Sequence, residues 1–380
     1  MPHFHIKLHL ILLILLTLAG GQALAVEEPE EAKEEVKEEL QKGKFLALPI
    51  FITEPAIGEG LGVGLVYFHK QKPIETPKIL TGKELTRVTR RSKAPPTATG
   101  VFAAYTSNDT TGAGFGHARS MMNDKYRFIG AIANLNINAT VFASDIPFDF
   151  GIEGNLIFSS IKRRFGDTNI FLGLSVSSLD AEVNFKLREI GELPPIEFLD
   201  FDFRTTGLAL SGIYDARDDV MMPSSGQLID LTTWWYDDAI GGDFDYTTVR
   251  LKVHSFHQLH EKFVLGFRFD ATTAGGSPPF FAVPFVSLRG IPALRFQGDT
   301  AGVFEIEGRY TFANRWAVIA FAGAGYTDTS APIFDTDNTI RAAGVGLRYK
   351  AIKQQNVWVG LDFARGPEDD YWYIQVGHPW

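Results

Sequence analysis

The sequence predicts an all-β fold, an antiparallel transmembrane barrel of about sixteen strands, and three observations carry that prediction. The first is an export pattern. Lys7 precedes an apolar run from Leu8 to Leu18, and Ala23-Leu24-Ala25 follows as a small-residue cleavage site. The second is period. From Phe45 onward apolar residues alternate with polar ones in short runs, and no later segment is continuously apolar over the length of a membrane helix. The third is the stretch YWYIQVGHPW, in which Trp372, Ile374, Val376, His378 and Trp380 share one parity. Such an amphipathic strand leaves an edge that, in a bilayer, only closure onto the first strand can satisfy.

Residues 1–25 read as a signal peptide, because the apolar run is too short to cross a bilayer as a helix. Residues 26–44 follow as an acidic periplasmic helix or linker. Between Glu27 and Glu39, eight glutamates (27, 28, 30, 31, 34, 35, 38 and 39) against Lys33 and Lys37 leave a net −6. Ala32, Val36 and Leu40 recur at every fourth residue, a stripe too narrow for a coiled coil on its own. Residues 45–380 form the barrel. Strands are expected at 45–54, 58–70, 98–109, 110–122, 126–144, 148–165, 169–185 and 205–218. Eight more are expected at 226–240, 245–259, 262–274, 301–312, 315–327, 340–351, 356–367 and 371–380.

Several strands show two faces. Phe304, Ile306, Tyr310 and Phe312 oppose Glu305, Glu307 and Arg309. Phe263, Leu265, Phe267 and Phe269 oppose Arg268 and Asp270, and Val249, Leu251 and Val253 oppose Arg250, Lys252 and His254. A soluble sandwich alternates too, but frequent charges on one face and aromatics near strand ends fit a lipid-facing exterior around a polar lumen. With both termini periplasmic, the tight connections 123–125, 167–168 and 313–314 fall on the periplasmic side and the long loops 186–204, 275–300 and 328–339 outside. Residues 71–97 break that asymmetry as a long periplasmic loop. It carries Lys72, Lys78, Lys83, Arg87, Arg90, Arg91 and Lys93 against Glu75 and Glu84. Its charge suits either contact with the acidic segment 27–39 or anionic lipid headgroups.

Composition excludes several classes. The net charge is −9 and, outside the acidic segment, nearly balanced, which argues against nucleic acid. With no cysteine there are no disulfides or thiolate metal sites. His254, His257 and His260 do not form a metal set, because residues three apart on a strand point to opposite faces. The alternating Gly58, Gly60, Gly62 and Gly64 lie along one strand face rather than in a phosphate loop. No nucleophile elbow is present, and no catalytic residue, metal or cofactor is expected.

Two motifs bring a family into view. Tyr214-Asp215-Ala216-Arg217-Asp218 with Pro223-Ser224-Ser225-Gly226 resembles the YDxRD…PxxG strand-turn motif of BamA/TamA-type barrels, the bacterial surface antigen superfamily. Leu288-Arg289-Gly290 resembles that family's RG motif, in the loop between the eleventh and twelfth expected strands. EGRYTFANRW (307–316), LDFARG (361–366) and the terminal Trp380 resemble its later strands. The resemblance implies a loop folded into the lumen, with Arg289 held by Glu307, and a closing strand carrying Trp372, Ile374, Val376 and Trp380. It implies one carboxylate partner rather than two, because the family's second acidic position matches Gly323. It also implies the outer membrane of a Gram-negative bacterium, surrounded by its lipids, and non-enzymatic insertion or translocation of proteins or lipids by lateral strand opening. The family's barrels usually follow periplasmic POTRA domains, for which 26–44 is too short. A periplasmic or inner-membrane partner would then recruit the client polypeptide or lipid. A passive pore or structural barrel with a plugged lumen is the alternative.

Overall fold

The computed structural model describes residues 44–69, 95, 97–143, 146–187, 196–328, 339–352 and 357–380. The expected signal peptide, the acidic segment up to residue 43 and the basic loop, apart from residues 95 and 97, lie outside the described residues.

Sixteen antiparallel strands follow one another in chain order around a single sheet. They are β1 (Lys44–Glu54), β2 (Gly58–Phe68), β3 (Ala98–Thr106) and β4 (Thr111–Met121). Next come β5 (Tyr126–Ala143), β6 (Ile146–Arg164), β7 (Ile170–Leu187) and β8 (Ile196–Asp215). After these come β9 (Gly226–Tyr236), β10 (Tyr246–His260), β11 (Phe263–Gly276) and β12 (Thr300–Ala313). The last four are β13 (Trp316–Asp328), β14 (Ile340–Ile352), β15 (Val357–Arg365) and β16 (Asp370–Val376). No described helix is long and apolar enough to cross a membrane.

Alternation sorts the side chains. Leu61, Val63 and Leu65 on β2, Leu172 and Leu174 on β7, and Phe304, Tyr310 and Phe312 on β12 are exposed on the outer face. Glu305, Glu307 and Arg309, of opposite parity, are buried in the lumen. This is the arrangement of a barrel whose solvent on the outside is lipid.

β8 begins at Ile196, not at 205 as the sequence suggested. Strands β5 to β8 run to 18–20 residues, longer than the others. In their loop-side halves the polarity of the faces inverts. Glu153, Asp180, Glu182 and Asp202 point outward and are exposed, while Ile137, Phe150, Leu179, Val183 and Phe203 are buried inside. Glu153, Glu182 and Asp202 stand in register across three strands, so their like charges require water outside rather than lipid. This wall shields the long loop between β11 and β12. Phe280 packs on Phe150 at 4.9 Å, and Phe281 on Phe203 at 4.9 Å between ring centroids.

Candidate functional site

The loop between β11 and β12 enters the lumen because the wall makes room for it. A Cβ on Gly323 would lie 2.7 Å from Leu288 Cδ1, and one on Gly325 would lie 2.3 Å from Val286 Cγ1. Gly290, at φ +93°, turns the chain, and its N–H donates to the Tyr373 hydroxyl at 2.9 Å. Leu288 is buried with Val286 and Ile291 against Val303, Ile340 and Ala342.

Arg289 sits at the tip with three carboxylates around it. Nε donates to Glu305 Oε1 at 3.0 Å, Nη2 to Glu307 Oε2 at 2.8 Å, and Nη1 to Asp362 Oδ2 at 2.9 Å. Its guanidinium carbon lies 3.5 Å from the Phe321 ring centroid. The expectation of a single carboxylate partner is therefore corrected. Gly323 gives its space to Leu288, while Glu305 on β12 and Asp362 on β15 add charge from other directions. Burial works against the Arg289 cation, but the three carboxylates outweigh it and raise its pKa above the usual arginine value. Two more arginines balance the acids. Arg348 Nη2 donates to Asp362 Oδ2 at 2.9 Å, and Arg268 Nη1 reaches Glu305 Oε2 at 3.5 Å. Glu305, Asp362 and Arg348 are fully buried, so the set is viable only because each charge is matched.

The chain after β16 completes the cluster. The sequence reading extended the closing strand to Trp380, but the strand ends at Val376 and Gly377 turns at φ +79°. Trp372 remains exposed on the outer face and Ile374 and Val376 are half-buried in the strand, whereas Trp380 points into the lumen. Its indole N–H donates to Glu305 Oε1 at 3.0 Å, and its ring stacks 5.4 Å from Phe256. His378 Nε2 lies 3.2 Å from Glu307 Oε1.

The strand-turn motif forms a floor. Arg217 grips Asp215 with Nε at 3.0 Å and Nη2 at 3.2 Å. Asp218 Oδ1 accepts the N–H groups of Asp219, Ser224 and Ser225, an arrangement that fixes the turn. Gly226, at φ +99°, is required because a Cβ there would lie 2.1 Å from the Ala216 carbonyl oxygen. The turn reaches the far wall, where Arg309 Nη2 donates to the Pro223 carbonyl at 2.6 Å and Met222 packs with Ala317 and Trp358. The His378 N–H donates to the Met221 carbonyl at 2.6 Å. Sequence reading missed this floor and the roles of Glu305 and Asp362, although lumen parity marked Glu305.

The histidines do not converge. His254 Nε2 meets Asp270 Oδ1 at 2.8 Å inside the barrel, and His257 Nε2 pairs with the Ser255 hydroxyl at 2.7 Å on the other face.

Between β1 and β16 the sheet has a seam. Among the described residues no backbone ladder joins these two strands, and a hydrogen bond from the Ile374 N–H to the Thr53 hydroxyl spans 3.3 Å.

Residues 99–287 match the Omp85 superfamily domain. A BamA structure from Haemophilus ducreyi lacking POTRA domains 1–3 is similar, with TM-score 0.60 at 11% identity over 88% of this chain and 69% of that one. CdiB from Escherichia coli gives TM-score 0.55 at 10% identity, and CdiB from Acinetobacter baumannii 0.53 at 10%. Each of these covers 88% of this chain, which spans 62% and 59% of their respective lengths. A comparison with curated protein sequences gives no match. Domain match and barrel topology agree: residues 99–287 carry an Omp85 superfamily domain, set within a barrel that shares its fold with the BamA and CdiB structures.

Proposed function

We propose that this barrel assists the insertion or translocation of a polypeptide or lipid at the outer membrane of a Gram-negative bacterium, by parting β1 from β16 and without catalysis. The unladdered seam carries this reading. A closed membrane barrel satisfies every strand edge within itself. Here β1 and β16 keep edge N–H and C=O groups that an incoming strand can pair with, so backbone hydrogen bonding alone supplies affinity for an extended client. The lumen favours a sideways route as well. The inserted loop fills it from one end, and the 216–225 turn with the C-terminal residues closes the other.

The chain has no cysteine, so a Thr53→Cys/Ile374→Cys pair can lock the seam cleanly. The oxidised barrel should lose client insertion in proteoliposomes and regain it on reduction. Full activity in the locked state would favour the alternative of a plugged structural barrel.

A further inference from the structure

Behind the loop, between Ser287 and the wall of β10 and β11, lies a cavity of about 70 Å³. Arg250, Lys252, Arg268, Asp270 and Thr272 line its wall, and Phe285 and Ser287 of the loop roof it. We propose that it binds a phosphate group.

The charge around it does not balance. Three cations face one carboxylate, and Asp270 is already engaged. It accepts from Arg268 Nε at 2.8 Å and pairs with His254 Nε2 at 2.8 Å. Lys252 stands in register between Asp230 and Asp270, yet among the described residues it forms no ion pair with either. The Asp230 carboxylate instead accepts the Thr232 hydroxyl at 2.6 Å. Arg250 Nε is buried with no hydrogen-bond partner among the described residues. A buried donor beside half-buried cations left in this state is costly, and an anion arriving among them gains charge-assisted bonds at each. The Arg250 fork, the Lys252 point charge and the Thr272 hydroxyl offer donors from several directions, as a tetrahedral oxyanion requires. The volume takes one such group or a few waters. The roof excludes a polypeptide.

The site touches the loop at Ser287, immediately before Leu288. Arg268, on its edge, also donates to the Ser287 carbonyl at 3.0 Å and reaches Glu305. A bound phosphate therefore ties the loop to the wall independently of Arg289.

The test uses full-length chain refolded in a detergent free of phosphate, at constant ionic strength. Inorganic phosphate is titrated by calorimetry and by ³¹P line broadening, and dihexanoyl phosphatidate in a parallel arm. We expect saturable binding of one equivalent. Preference for inorganic phosphate identifies a free ion as the source, and preference for phosphatidate a lipid headgroup. Lys252→Gln and Arg250→Gln should each weaken binding by about tenfold or more, while the exposed Lys262→Gln should not. Folding of each variant is checked by its gel mobility without heating. If the folded parent binds neither probe saturably, or if folded Lys252→Gln and Arg250→Gln both bind like the parent, there is no such site.

Discussion

Trp380 and Arg289 share one acceptor, for the indole N–H and the guanidinium Nε both donate to Glu305 Oε1 at 3.0 Å. The end of the chain and the tip of the inserted loop are thereby tied to the same carboxylate, although they arrive from opposite ends of the lumen. A disturbance of either should be felt by the other.

Arg289→Ala should destabilise the folded barrel by about 3–5 kcal/mol, because it strands buried carboxylates rather than removing a pair. Arg289→Lys should lie between the two, since a single ammonium cannot serve three acceptors with a planar fork. Protease added to the loop side should cut within 277–299 in the alanine variant and spare the parent. Equal protection of both would mean that apolar packing of Leu288 alone holds the loop.

Trp380→Phe keeps the stack on Phe256 but removes the donor to Glu305. The loss should be about 1–3 kcal/mol in denaturant unfolding. It should shrink in an Arg289→Ala background, where Glu305 is already disturbed. Strict additivity of the two substitutions would show that the shared acceptor does not couple them.

At Gly323 a carboxylate would occupy the space of Leu288, 2.7 Å from the position of its Cβ. Gly323→Asp should therefore expel the loop rather than add a partner to Arg289, with a cost of several kcal/mol, about that of a severe overpacking. Adding Leu288→Ala should recover part of the loss. A stable, protease-resistant Gly323→Asp protein would restore the expectation drawn from sequence.

His378 gives a pH dependence. Burial lowers its pKa, with Glu307 opposing. The unfolded chain takes up a proton there near pH 6.5, while the folded chain resists until lower pH. The unfolded state then holds more protons, so stability should fall as pH drops through about 6.5. His378→Asn should flatten the unfolding midpoint between about pH 7 and 5.5. An unchanged slope would exclude His378 as its source.

Much of the barrel was legible because strand parity is a local property. Glu305 and Glu307 could be placed in the lumen from their neighbours alone. What could not be read lies in contacts between distant elements. Asp362 meets an arginine 73 residues away, and Arg309 a carbonyl 86 residues away, and neither leaves a periodic trace. The true start of β8 was hidden differently. Asp200 and Asp202 alternate with Phe201 and Phe203, but in the sense opposite to a lipid-facing strand, so the segment resembled a loop. Trp380 was misplaced because alternation continues in sequence after Gly377 has turned the backbone.

That inversion on β5 to β8 also sets a waterline. Ile132, Ile157, Val176 and Leu208 mark the upper limit of the greasy outer band there, and Asn134, Asn155 and Asp180 stand above it. Sinking the barrel would carry carboxylates into hydrocarbon, and raising it would expose leucines to water. The protein thus fixes its own depth on one flank, away from the seam, and any thinning of the bilayer must be taken up on the other.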